Sequence, residues 1–104
     1  MQIGDRIGAV LKTDEKQVFL FGFGVYAGKQ IPPPGIQFLG MDMHDLGQTN
    51  PKLVLDDGQT VWGCECWWGP EEKVKTMLIG NREVVWVNIK EVRGTNSRSD
   101  VITY

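Results

Sequence analysis

Asp56-Asp57-Gly58 stands between two β-prone runs, Lys52-Leu53-Val54-Leu55 and Gln59-Thr60-Val61-Trp62. An Asp-Gly step at such a junction calls for a positive φ, which glycine adopts without penalty, so the two runs are predicted to fold back as an antiparallel hairpin. No other short signal in the chain restricts its topology as much. A second hairpin is expected earlier, from residues 6–12 and 17–26, with polar Thr13-Asp14-Glu15-Lys16 as the turn.

Strict alternation along residues 17–26 puts Phe19, Phe21, Phe23 and Val25 on one face and Val18, Leu20, Gly22, Gly24 and Tyr26 on the other. The phenylalanine row is assigned to the core. Gly22 and Gly24 thin the opposite face, either as a bulge or sharp bend, the preferred reading, or where another chain or a ligand approaches.

Residues 28–51 lose this period. Ile31-Pro32-Pro33-Pro34-Gly35 is expected to be extended, since successive prolines offer no backbone donors. Met41-Asp42-Met43-His44-Asp45 suits a turn of helix. A connection this long in a small domain is usually functional or flexible. Further on, Pro70, Glu71 and Glu72 suit a helix start. A short helix is therefore predicted over residues 70–79, with Val74, Met77 and Leu78 as its buried stripe, Glu71 and Lys75 paired outside, and Gly80 as its stop. Residues 82–89 read as a last strand.

These elements make a mainly β (α+β) domain over residues 1–93. The expected architecture is a small, partly open β-barrel of about five strands, with the one short helix plugging an end or covering a face. Residues 94–104 form a polar C-terminal tail, read as mobile, that ends in Val101-Ile102-Thr103-Tyr104.

A chain of 104 residues has room for one core. Four tryptophans, four phenylalanines and two tyrosines give that core large apolar areas. The formal charge of −2 and the scatter of the basic residues exclude broad binding to duplex nucleic acid, which needs a basic face. The N-terminus lacks the pattern of a signal peptide, and no apolar run approaches the roughly 20 residues that span a bilayer. A cytoplasmic location is expected, where Cys64 and Cys66 stay reduced.

Val61-Trp62-Gly63-Cys64-Glu65-Cys66-Trp67-Trp68-Gly69-Pro70 concentrates three tryptophans and both cysteines. If residues 61–66 are extended, Trp62, Cys64 and Cys66 share a face. Trp67 and Trp68 then point oppositely, so one of them should stay outside the core. Two readings stand. In one, the indoles plug the ends of the barrel and Glu65 is solvated. In the other, they form a stacking platform on which Glu65 supplies polar specificity. Trp62 leans to the first reading, and Trp67 or Trp68 to the second.

Other chemistry is thinly represented. Cys64, Cys66, His44 and Asp42 or Asp45 could be assembled into a zinc set. However, Cys-x-Cys is not the usual knuckle spacing, and no metal or cofactor is expected. A cysteine nucleophile would need His44 nearby, and nothing in the sequence puts it there. Gly22-Phe23-Gly24 is followed by more strand and lacks the context of a dinucleotide fingerprint. The chain reads as a non-enzyme.

Gly24-Val25-Tyr26, residues 50–58 and the tryptophan segment together resemble small uncharacterised proteins encoded by bacteria and phages, over most of residues 4–90. The resemblance implies no activity and no functional residues. A phage association would make small inhibitor proteins relevant, a class that is short, non-enzymatic and often oligomeric, with some members trapping nucleotide signals.

The expected function is a non-catalytic binding module whose ligand site uses Trp67, Trp68, Glu65, Tyr26, His44 and Trp62. A nucleotide or cyclic nucleotide is the first ligand to test. The competing expectation is a protein-interaction or structural module whose aromatic patch meets a partner chain or a second copy of itself.

Overall fold

A computed structural model describes residues 1–93. The tail assigned to residues 94–104 lies outside the described residues. β1 (Arg6–Thr13) and β2 (Gln17–Gln30) form the first hairpin, and β5 (Asn50–Leu55) with β6 (Thr60–Trp62) forms the second. Gly58 takes φ +91 in the Asp-Gly turn, as the sequence demands. Between the hairpins lie a two-residue ribbon, β3 (Gln37–Phe38) with β4 (Met41–Asp42), and the one-turn helix α1 (Met43–Leu46).

After β6 the chain makes a 3-10 turn, Gly63–Glu65, and then β7, Trp67–Pro70. Residues 61–66 are therefore not one extended strand, and Trp62, Cys64 and Cys66 do not share a strand face. The turn is held by the Glu65 carboxylate, which reaches back three residues to accept the Trp62 N–H at 3.0 Å.

The main sheet runs β6-β5-β2-β1-β7, with β8 (Glu83–Trp86) lying parallel beside the first half of β2. It is mainly antiparallel, and among the described residues it does not close into a barrel. β6 and β7 stand at opposite edges with β5, β2 and β1 between them. The expected last strand is shorter than residues 82–89. Asn88 accepts the Lys90 N–H at 2.8 Å, as a helix cap does, and the described residues 89–93 are helical.

Helices cover the sheet on both sides. Ile7 and Ala9 pack with Phe21, Leu53, Leu55, Val61 and Ile89 in one buried cluster. Val10, one residue out of phase, packs with Val18, Leu20 and Val74 in another. The 89–93 helix therefore lies on one face. The helix at Glu71–Lys73 (α2) lies on the other and continues into a π-helical turn, Val74–Ile79. Gly8 lets this helix approach, since a Cβ there would stand 3.0 Å from Val74. The predicted stripe needs one correction. Val74 is buried and Leu78 half-buried, but Met77 is 70% exposed. Gly80 N–H bonds to Lys75 O, five residues back, and this wider turn rotates Met77 off the packed side.

The phenylalanine row does not form a single core face. Ala9 pairs with Gly22 and Val10 with Leu20, so Phe21 is an extra residue. Lys12 then pairs with Phe19, leaving Leu11 extra on β1. Each bulge shifts the alternation by one residue. As a result Val18 and Leu20 are fully buried, Phe21 joins the opposite cluster, and Phe19 and Phe23 lie half-buried beneath Lys12 and Lys75. The residue thinned at Gly24 serves the chain's own backbone. A Cβ there would meet Val54 O at 2.1 Å, where β5 crosses β2.

Candidate functional site

The six expected site residues do not converge. Trp68 and Tyr26 stack on each other, with centroids 5.7 Å apart and planes 6° apart, and pack against the Ile7–Ala9 cluster. Trp68 pairs with Ala9 and so faces the 89–93 helix, whereas Trp67 pairs with Val10 and faces the other way. Trp67 is 75% exposed. It walls a small groove with Val10, Lys12, Thr13 and Leu78.

Glu65 is not solvated but engaged within the chain. Both its carboxylate oxygens are held by Arg93, Nε–Oε2 at 2.7 Å and Nη2–Oε1 at 2.6 Å. The same Nη2 donates to Thr60 O at 3.2 Å, so Arg93 grips edge strand β6 as well. Glu65 and Arg93 lie on the wall of a cleft of about 400 Å³ between the β3 hairpin and the 89–93 helix.

Trp62 and His44 do come together, in a larger cleft of about 690 Å³ between the proline loop and the β5–β6 hairpin. The hairpin supplies Lys52, Thr60 and Trp62. Lys52 and Trp62 are register partners, and Thr60 lies two residues from Trp62 on the same face. Trp62 is buried and lines the cleft, with Pro32 and Ile36 providing further apolar wall. Lys52, Arg93 and His44 supply the polar character, and among the described residues no carboxylate lines this cleft.

The loop opposite is fixed by Asp42. Its carboxylate caps α1 by accepting the N–H groups of His44 at 2.8 Å and Asp45 at 3.3 Å, and it bridges to Gly35 N–H at 2.9 Å. These bonds, the one from Gly35 foremost, hold the Asp42 carboxyl below the ordinary range. Ile36 O accepts the Met43 N–H at 2.9 Å, and both side chains are buried beneath the loop. His44 Nδ1 lies 3.0 Å from Pro32 O. Because a carbonyl only accepts, Nδ1 carries the proton, which leaves Nε2 for other partners.

The sequence gives no direct sign of Arg93. Lys52 could have been read from it, since the Asp-Gly turn sets the hairpin register and that register pairs Lys52 with Trp62.

The thiols are unsuited to nucleophilic work. Burial, reinforced by the Glu65 charge, pushes Cys66 up to about 12 and raises Cys64 as well. Both are free thiols. Among the described residues no group of three or more His, Cys, Asp or Glu side chains is arranged to hold a metal. Also among the described residues, no helix is long and apolar enough to cross a membrane.

Comparison with protein families, with curated proteins and with solved structures found no match to this chain. The functional argument therefore rests on the geometry.

Proposed function

We propose that this protein is a non-catalytic binding module whose ligand is a small anionic molecule, with nucleotides and cyclic nucleotides as the leading class. The seat is the cleft between the proline loop and the β5–β6 hairpin. One observation carries this reading. In a chain of net charge −2, the cleft is lined by Lys52, which pairs with no acidic side chain among the described residues. His44 and the Glu65-bound Arg93 line it too, and among the described residues no carboxylate does. Its volume of about 690 Å³ falls in the usual range for small-molecule sites. The apolar wall of Trp62, Pro32 and Ile36 suits the apolar part of such a ligand, and the Lys52 ammonium suits its phosphate. A phage association, one of the two origins that the sequence resemblance names, would make sequestration of a nucleotide signal the matching role.

Titration of tryptophan fluorescence against a nucleotide panel tests the proposal. Saturable quenching is expected for at least one phosphorylated member and is expected to be lost in Lys52→Ala. A flat response across the panel overturns it.

A second reading has its own support. Trp67 is 75% exposed at the end of the sheet, on β7, whose only strand partner among the described residues is β1. An exposed indole on an edge strand suits contact with another chain, either a partner protein or a second copy. Light scattering with wild type and Trp67→Ser tests this, since a dimer that dissociates in the variant assigns Trp67 to an interface.

A further inference from the structure

A notch interrupts the main sheet along one side of β2. On that side the parallel ladder with β8 ends at Leu20 opposite Trp86, and the ladder with β5 begins at Gly24 opposite Leu55. Val87 N–H closes the first ladder on Leu20 O, and Asp56 N–H closes the second on Phe23 O, each at 2.9 Å. Phe21 and Gly22 lie between them with no strand partner on this side among the described residues. The Phe21 bulge falls at the same place. Bulges commonly re-aim side chains beside binding sites.

The notch encloses about 270 Å³. Its walls are aromatic, from Phe21, Phe23 and Trp86, and its rim carries Asp56 and Asp57. Trp86 is 65% exposed, so much of its ring is open to a ligand. Two of the lining groups, Phe23 and Asp56, are engaged by the chain's own cations. Lys75 Nζ sits 5.3 Å from the centroid of the Phe23 ring. The Arg6 guanidinium binds both oxygens of Asp56, at 2.7 and 2.8 Å. Asp57 uses one oxygen to accept the Gln59 N–H at 2.9 Å, and no side-chain cation is paired with it among the described residues.

We propose that this notch binds a compact organic cation, an ammonium or guanidinium group, with Trp86 as its aromatic wall and Asp57 as its counter-charge. Aromatic faces beside a carboxylate attract such groups through the ring quadrupole together with direct charge attraction. A cation of this kind can arrive as a free amine or at the end of a lysine or arginine side chain. The site is separate from the basic cleft and takes the opposite charge.

NMR of the isotope-labelled full chain tests the assignment. Methylguanidinium and tetramethylammonium chloride represent the free amines, a Gly-Gly-Arg-Gly-Gly peptide represents the side chain, and sodium chloride at equal ionic strength is the control. Saturable shifts of the Trp86 indole and of the Gly22 amide are expected, and about fivefold weaker binding in both Asp57→Asn and Trp86→Leu. Asparagine keeps the turn bond to Gln59, so Asp57→Asn decides the matter even if Trp86→Leu unfolds. Peptide binding about tenfold tighter than methylguanidinium identifies a side-chain source, and equal affinities identify a free amine. Absence of a saturable shift beyond the salt control, or affinities unchanged in Asp57→Asn, overturns the proposal.

Discussion

Arg93 clasps Glu65 with two parallel hydrogen bonds, 2.7 and 2.6 Å long, across 28 positions of sequence. Glu65 is only 9% exposed in its side chain, and its carboxylate is satisfied by Arg93 and the Trp62 N–H. The pair ties the 89–93 helix to the turn before β7. It also turns a residue expected to read a ligand into a clamp. Arg93→Ala should destabilise the fold by about 2–4 kcal/mol, because it leaves a carboxylate buried without its partner. Replacing both residues with apolar ones should cost less than the sum of the single changes. Urea unfolding of the two single variants and the double variant measures this coupling.

Gly24 has no room for a side chain, since a Cβ would stand 2.1 Å from Val54 O and 2.6 Å from Leu55 Cα. Gly24→Ala should cost about 3 kcal/mol or more, as β5 must move off β2. Gly69→Ala is the control, because a Cβ there meets nothing within 4 Å and its φ is not positive. It should change stability by no more than about 0.5 kcal/mol. Thermal unfolding of both variants separates the outcomes.

Leu39 is 79% exposed and holds φ +54 at the tip of the β3–β4 ribbon, the sole non-glycine residue with positive φ among the described residues. A leucine pays a steric penalty in this conformation that asparagine largely avoids. Leu39→Asn should therefore stabilise the protein by about 0.5–1 kcal/mol, a few degrees in Tm. A lower Tm would mean that the leucine makes contacts that outweigh its strain.

Cys66 is held protonated by burial, with its thiol pushed up to about 12. Its folded value lies above the unfolded one, so the contribution to stability is complete below the unfolded thiol range. It declines as pH rises past about 8.5 towards the folded value. Iodoacetamide should modify Cys64 slowly and Cys66 far more slowly in native protein at pH 8, and both readily in urea. Mass spectrometry of time points reads the two rates, and fast native labelling of Cys66 would contradict the burial.

Asp42 shows the opposite sign. Backbone N–H groups keep its carboxyl low in the folded state, so its contribution is complete at neutral pH and disappears as acid protonates it. Asp42→Ala should loosen the proline loop and weaken the hydrogen bond from His44 Nδ1 to Pro32 O. In the proposed function, ligand affinity should fall while the sheet stays folded, an outcome that a nucleotide titration alongside far-UV circular dichroism resolves.

Much of the local structure was legible in order. The Asp57-Gly58 turn marked the second hairpin, polar residues 13–16 marked the first, and Pro70 with Gly80 bracketed the helix on α2's face. The mainly β content and the divergence of Trp67 from Trp68 followed from period-two geometry. Of the site, Trp62 and His44 were named and do share a cleft. Trp68 and Tyr26 were named and instead pair with each other, and Glu65 was given a role that Arg93 had already taken.

The chain's own residues thus determined its two hairpin turns, its mainly β content and the limits of the helix between Pro70 and Gly80, because each of these depends on φ preferences and side-chain alternation among near neighbours. Tertiary structure decided the rest. Two bulges reset the alternation of the phenylalanine strand, β8 joined in parallel beside β2, and Lys52, His44 and Arg93 came to one cleft. Each of these outcomes depends on which distant backbone groups find partners and which charges lose water, and no local run of sequence carries that information.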